Sequence, residues 1–181
     1  MTKIAINGYG RIGRNIVRVL RDRGHENLEL VAVNDLADPE DLFWLTQYDT
    51  ILGRYPGELE RTEKGFRIDG RDVAFFQEAD PTKLPWGELG VDLVIECTGI
   101  FTTGPKAQAH LDAGAKKVLI SAPAKEVDGT FVMGVNEHTY DAETMHIVSN
   151  ASCTTNCLAP MAKVLNLSLI HISEPTRRRG I

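Results

Sequence analysis

The segment Gly8-Tyr9-Gly10-Arg11-Ile12-Gly13 restricts the fold more tightly than any other stretch of the chain. It follows a short apolar run, Lys3 to Asn7, that reads as a strand. After it, Ile12, Ile16, Val17, Val19 and Leu20 recur at roughly helical spacing, with Arg11, Arg14, Arg18 and Arg21 between them. Gly24 is a natural helix stop, and Leu28 to Val33 forms a second apolar strand ending at Asn34-Asp35. Strand, glycine turn, helix, strand is one βαβ unit, whose crossover is expected to be right-handed.

A G-x-G-x-x-G string alone is a weak signal, because tight turns of this composition are common. Here it leaves a strand, opens a helix and is followed about twenty residues later by an acid at the end of the next strand, the full context of a dinucleotide fingerprint. Each glycine has a physical task. Gly8 permits the tight turn, Gly10 lets the backbone approach a pyrophosphate, and Gly13 permits close helix–strand packing. The pyrophosphate would sit at the unpaired N–H groups and positive end of the helix. Asp35 would accept hydrogen bonds from the adenosine ribose and repel a 2′-phosphate, which favours NAD over NADP.

The rest of the chain continues the pattern. Asp38-Pro39-Glu40-Asp41 reads as a cap, a first-turn proline and first-turn acids, opening a second helix through Leu42 to Tyr48. Phe66 to Ile68 and Asp72 to Phe76 flank Asp69-Gly70, a hairpin signal. Asp92 to Glu96 and Lys117 to Ser121 are near-continuous apolar runs suited to strands covered on both faces, with a helix from Pro105 to Ala113 between them. Thr130 to Val135 and His146 to Ser149 are further strand candidates. The expected fold is α/β: a Rossmann-type, doubly wound, mostly parallel sheet with helices on both faces. Thr98, Gly99 and Ser121 follow two of its strands at their carboxyl ends, where open α/β sheets bind ligands, and the fingerprint draws them toward the cofactor.

Composition narrows the class of partner. Twenty basic against twenty-five acidic residues give a net charge of −5, which argues against nucleic acid. No apolar run approaches the ~18 residues of a membrane span, and Met1 to Gly8 has no signal-peptide pattern. Three cysteines are too few for a disulfide scaffold and fit a reducing, cytoplasmic setting.

Those cysteines are not equivalent. Asn150 to Cys157 leads into Leu158, Met161, Ala162 and Leu165, an amphipathic helical spacing that puts Cys153 in the first turn. A helix N-terminus favours thiolate, but a dipole worth ~0.3–1 kcal/mol does not ionise an ordinary thiol at neutral pH. A neighbouring base is required. Cys97, in an apolar run, and Cys157, one turn deeper in the helix, read as buried core thiols. Cys153 and Cys157 could instead form a redox pair. They do not complete a metal site, which needs two further ligands.

Ala-Ser-Cys-Thr-Thr-Asn-Cys at 151–157, together with Asn-Gly-Tyr-Gly-Arg-Ile-Gly-Arg at 7–14, resembles the phosphorylating glyceraldehyde-3-phosphate dehydrogenase family. Glu96-Cys97-Thr98-Gly99, Gly114 to Val118 and Gly134-Val135-Asn136 extend the resemblance over Lys3 to Asn166. It implies Cys153 as the nucleophile, Arg11, Ile12, Asp35, Thr98 and Ser121 near NAD, and Ser152 and Thr154 beside glyceraldehyde 3-phosphate or inorganic phosphate. It also implies homo-oligomeric assembly. The related erythrose-4-phosphate dehydrogenase, and a catalytically incomplete NAD-binding fragment, are the alternatives. The resemblance divides the chain into an NAD-binding domain at 1–150, the first helix of a catalytic domain at 151–166, and a segment at 167–181 that departs from the family pattern and looks non-native. His171 lies in that segment and is not assigned the role of base. Ala79 stands where many members carry a basic residue.

Overall fold

The computed structural model describes residues 1–24 and 27–170. The elements in chain order are β1 (Thr2–Asn7), α1 (Arg11–Asp22), β2 (Leu28–Asn34), α2 (Pro39–Gln47), β3 (Tyr48–Asp49), β4 (Gly53–Arg54), β5 (Leu59–Thr62), β6 (Gly65–Ile68) and β7 (Arg71–Phe76). They continue with α3 (Trp86–Leu89), β8 (Leu93–Glu96), α4 (Gly104–Asp112), β9 (Lys117–Ile120), β10 (Gly129–Thr130), β11 (Ile147–Ser149) and α5 (Cys153–Leu165).

The main sheet runs β10-β11-β9-β8-β1-β2-β7-β6-β5. From β7 to β11 all pairings are parallel, in the order 3-2-1-4-5-6 of a doubly wound sheet. Beyond β7 the sheet turns antiparallel through β6 and β5. The hairpin signal is confirmed in detail: Asp69 (φ 50°) and Gly70 (φ 79°) both adopt positive φ, as the two-residue turn requires.

Both faces of the central strands are buried, and their side chains alternate between two cores. Ile4 and Ile6 face α1 and α2 alongside Val17 and Leu42, whereas Ala5 faces Trp86, Val91 and Val94 on the other side. A third cluster, Ala107, Val118, Ile120 and Ile147, seats α4. This two-sided burial is why the strands read as continuous apolar runs.

Three details differ from the sequence expectations. The strand expected over Thr130–Val135 is limited to Gly129–Thr130. Beyond it Asn136 folds the chain back: its Oδ1 accepts from the Val132 N–H at 2.9 Å and its Nδ2 donates to the Thr130 carbonyl at 2.9 Å. Gly134, at φ 80°, completes a turn that no ladder could continue. The small β3–β4 hairpin and strand β5 carried no clear period and were not anticipated. Finally, α5 passes into a π-helical turn over Asn166–Ile170. Of the segment set apart at 167–181, the remainder, with His171, lies outside the described residues.

The glycine turn is fixed by close approach. A Cβ on Gly8, which has φ 91°, would lie 2.5 Å from the Thr98 nitrogen at the end of β8. A Cβ on Gly13 would lie 2.4 Å from the Gly8 carbonyl oxygen, whereas one on Gly10 would meet nothing within 4 Å. Gly13→Ala should therefore destabilise the chain by about 1–3 kcal/mol through overpacking. Gly10→Ala should cost under about 1 kcal/mol, the difference between a glycine and an alanine cap. Urea midpoints of the two variants measure this contrast, and equal losses would contradict it.

Candidate active site

Five loops that leave the parallel strands at their carboxyl ends gather the residues singled out above. Gly8 to Gly10 follow β1, Asp35 follows β2, Thr98 and Gly99 follow β8, and Ser121 follows β9. Residues 150–152, which lead into Cys153, follow β11. Strand order reverses between β1 and β8, which makes the space above them the crevice at the switch point. From β2 to β11 there are four strand spacings, ~19 Å at about 4.8 Å each. Asp35 and Cys153 thus stand toward opposite ends of one edge.

Helix α1 presents an open N-terminus to this crevice. Its cap, Gly10, offers no side-chain hydrogen bond, and its first turn holds no acid. Arg14 N–H is bonded to the Gly10 carbonyl at 3.0 Å, so the N–H groups of Arg11, Ile12 and Gly13 precede the first intrahelical bond. Helix α2 is the contrast: Asp38 caps it, accepting from Glu40 N–H at 2.7 Å, and Glu40 and Asp41 occupy its first turn. Arg11 lies exposed at the mouth of α1, 3.4 Å from Asp49. An open turn with arginine beside it and no acid within it suits an anion.

Asp35 also supports the turn. Its Oδ2 accepts from Tyr9 N–H at 2.7 Å and its Oδ1 from Ala37 N–H at 2.9 Å, which ties the glycine loop to the end of β2. Tyr9 is wholly buried among the α1–α2 core, and burial pushes its hydroxyl up to about 12. The residue between the first two glycines is therefore an anchor, a role the sequence reading did not give it. Gln77 and Ala79 lie exposed beyond β7, close to the Asp35 end of the edge through the Asp35 N–H bond to Phe76 O.

Beneath the crevice lies a row of buried polar side chains that sequence reasoning missed. Asn34, Asn7 and Glu96 are in register on adjacent strands and close to fully buried. Asn34 Nδ2 donates to Asn7 Oδ1 at 2.7 Å, and Asn7 Nδ2 donates to Glu96 Oε2 at 2.6 Å. The signal was present, since three apolar runs each stop on an amide or carboxylate. Thr98 is bound to this row rather than free: its N–H donates to Glu96 Oε1 at 2.7 Å, its hydroxyl donates to the same oxygen, and the hydroxyl accepts from Ile100 N–H at 3.0 Å. Ser121 N–H donates to the Glu96 carbonyl at 2.9 Å.

At the other end, β11 turns sharply into α5. Ala151 is buried and has φ 58°, unusual for a residue with a side chain. Its N–H donates to Ser149 Oγ at 3.0 Å, and Ser149 Oγ donates to the Ala122 carbonyl at 2.7 Å. Ser152 then caps α5, its Oγ accepting from Thr155 N–H at 2.9 Å, with the hydroxyls of Thr154 at 2.9 Å and Thr155 at 2.7 Å. Cys153 is the first helical residue and is exposed beside this cluster of three hydroxyls. Among the described residues no side chain hydrogen-bonds its thiol.

The other two thiols divide. Cys97 is half-buried against the β1 core, and burial pushes it up to about 11, with a Ser121 hydrogen bond pulling the other way. Cys157 is exposed, contrary to the core role expected for it. The helix spacing was read correctly, but among the described residues its apolar face is uncovered: Leu158 is 64% exposed, Met161 52% and Leu165 50%. Alkylation with iodoacetamide near neutral pH, mapped by mass spectrometry, should label Cys153 first, Cys157 next and Cys97 last. Cys97 should react appreciably only as the pH nears 11, and early labelling there would contradict its burial.

Comparison with known proteins agrees with the fold. The family described as "Glyceraldehyde 3-phosphate dehydrogenase, NAD binding domain" matches residues 2–104. The glyceraldehyde-3-phosphate dehydrogenase of Streptomyces coelicolor is 56% identical over 164 residues, 91% of this chain and 48% of its own. That of Clostridium pasteurianum is 57% identical over 167 residues, 92% of this chain and 49% of its own. The plasmid-borne one of Cupriavidus necator is 54% identical over 169 residues, 92% and 50%. The chain spans about half the length of the curated relatives it matches. A doubly wound sheet with an open glycine turn, matched at this level of identity, belongs to the glyceraldehyde-3-phosphate dehydrogenase family.

Proposed function

We propose that this chain binds NAD along the carboxyl edge of its sheet and supplies the nucleophile of an NAD-dependent, phosphorylating oxidation of glyceraldehyde 3-phosphate. The observation that carries the cofactor half is the open N-terminus of α1, where Gly10 leaves space that no protein atom fills, beside Arg11 and with Asp35 held against the same turn. In this reading Gly8, Gly10, Arg11, Ile12 and Gly13 hold the pyrophosphate, Asp35 the adenosine ribose, and Thr98, Gly99 and Ser121 the remainder of the cofactor. Residues 1–150 form the NAD-binding domain and 151–166 begin the catalytic one, whose further part would cover the apolar face of α5. Homo-oligomeric assembly rests on the family resemblance alone. The three free thiols support a reducing, cytoplasmic setting.

NAD, when bound, supplies the hydride acceptor. Cys153 supplies the sulfur: as thiolate it adds to the aldehyde carbon to give a thiohemiacetal, and after oxidation it holds the acyl group as a thioester. Inorganic phosphate then cleaves the thioester to 1,3-bisphosphoglycerate. Ser152 and Thr154 would bind substrate phosphate or inorganic phosphate, a role supported by the hydroxyl cluster at the N-terminus of α5. That same N-terminus would steady the oxyanion of the tetrahedral adduct. The relatives named above all carry glyceraldehyde 3-phosphate in their names, which supports that substrate over erythrose 4-phosphate.

Calorimetry tests the cofactor reading. NAD should bind more tightly than NADP, and Asp35→Ala should narrow the gap while weakening NAD itself, because Tyr9 N–H and Ala37 N–H lose their acceptor. Equal affinities in the parent chain would overturn the assignment of Asp35. With no base bonded to the Cys153 thiol among the described residues, the 181-residue chain should turn over ~10²–10⁴-fold more slowly than a full-length relative. Turnover at an ordinary enzyme rate of ~10 s⁻¹ would contradict this.

A further inference from the structure

We infer that the buried carboxylate of Glu96 is a positioning residue for the cofactor edge, and that only a carboxylate can do its work. The inference rests on the NAD-binding reading above. Glu96 is 1% exposed, and four donors converge on its two oxygens. Thr98 N–H and the Thr98 hydroxyl point at Oε1, while Asn7 Nδ2 at 2.6 Å and His110 Nε2 at 3.0 Å point at Oε2. A carboxylate accepts at both oxygens and satisfies all four.

Apart from the Thr98 hydroxyl, which can also accept, none of these donors can reverse its role without loss elsewhere. The indole N–H of Trp86 donates to His110 Nδ1 at 3.1 Å, so Nδ1 is an acceptor and the ring hydrogen is on Nε2, aimed at Glu96. Asn7 cannot turn its amide over, because its Oδ1 accepts from Asn34 Nδ2. Asn34 is held in turn: its Nδ2 also donates to the Glu78 carbonyl and its Oδ1 accepts from Glu78 N–H, both at 2.9 Å. The chain of fixed roles runs from Trp86 on α3 and His110 on α4 to Thr98 at the crevice. Thr98 is the residue whose backbone nitrogen abuts Gly8. Glu96 therefore sets where the β8 loop stands against the glycine turn, and does so through Thr98 rather than by reaching the cofactor.

Glu96→Gln keeps the shape but must aim an NH₂ at an obligatory donor, either the Thr98 N–H or the Asn7–His110 pair. Glu96→Asp keeps two accepting oxygens on a shorter stem. Val118→Ala, a cavity in the separate α4 core, serves as a control of loss of stability alone. All are made in the 181-residue chain and studied well below its unfolding transition. Amide exchange at Thr98 and NAD affinity are read side by side. Glu96→Gln should speed Thr98 exchange by about tenfold or more and weaken NAD by about tenfold, the worth of a hydrogen bond to a charged group. Glu96→Asp should recover part of both, and Val118→Ala should lower the urea midpoint without moving either. Unchanged Thr98 exchange, or NAD affinity that tracks the urea midpoint across all three variants, would overturn the inference. A parent chain that fails to bind NAD would instead overturn the cofactor reading, and Thr98 exchange would still show whether Glu96 holds the loop.

Discussion

At the point where the sheet reverses its direction of growth, the backbone of β1 leaves its strand so close to the end of β8 that Gly8 has no room for a methyl group. Two loops departing from neighbouring parallel strands must diverge to open a crevice, yet here they touch at their roots. That contact requires glycine, positive φ and a β8 loop held still. It also buries the last residues of three strands, whose polar side chains then lose water and must answer one another. The row Asn34–Asn7–Glu96 is the consequence. In a low-dielectric interior such a network is stabilising only when every member is satisfied, and here each is.

The sequence discloses the parts of this arrangement that depend on neighbours in the chain. Gly8, Gly10 and Gly13 follow from the local geometry of a strand-to-helix turn, and the close approach expected of Gly8 and Gly13 is seen in what a Cβ at either would meet. Asp69-Gly70 likewise encodes its own turn. The polar row is different, because its logic is transverse. Asn7 is answered by residues 27 and 89 positions away, and His110 by Trp86 across a helix and a strand. Nothing in a linear reading joins these residues until strand order and register are known. Thr98 shows the same limit: its place at a carboxyl end was legible, but not that its hydroxyl faces into the protein.

Helix α5 marks another boundary of inference. Periodicity identifies which residues share a face, but not whether anything covers that face. Cys157 reads as a core thiol because it lies one turn deeper in a helix whose apolar stripe has the spacing of a buried face. Among the described residues the stripe is bare, and Lys163 tethers the helix from its side, its Nζ donating to the carbonyls of Gly134 and Val135 at 2.7 and 3.0 Å. Gly134-Val135-Asn136 thereby acquires a purpose that its sequence did not announce. The turn closed by Asn136 displaces the expected strand and presents two carbonyls to α5.

The alanine at 151 offers a last consequence. A left-handed backbone at a residue with a Cβ costs about 1 kcal/mol in the folded chain, and glycine would remove that strain. Glycine would also widen the unfolded ensemble by a comparable amount, so the two choices leave net stability nearly unchanged. They do not leave the joint equally stiff. With alanine, seated on the Ser149 hydroxyl and packed out of solvent, few backbone states are open to the residue that launches the helix. The difference between the two residues is one of angular spread: alanine narrows the range of directions in which the sulfur two residues later can point.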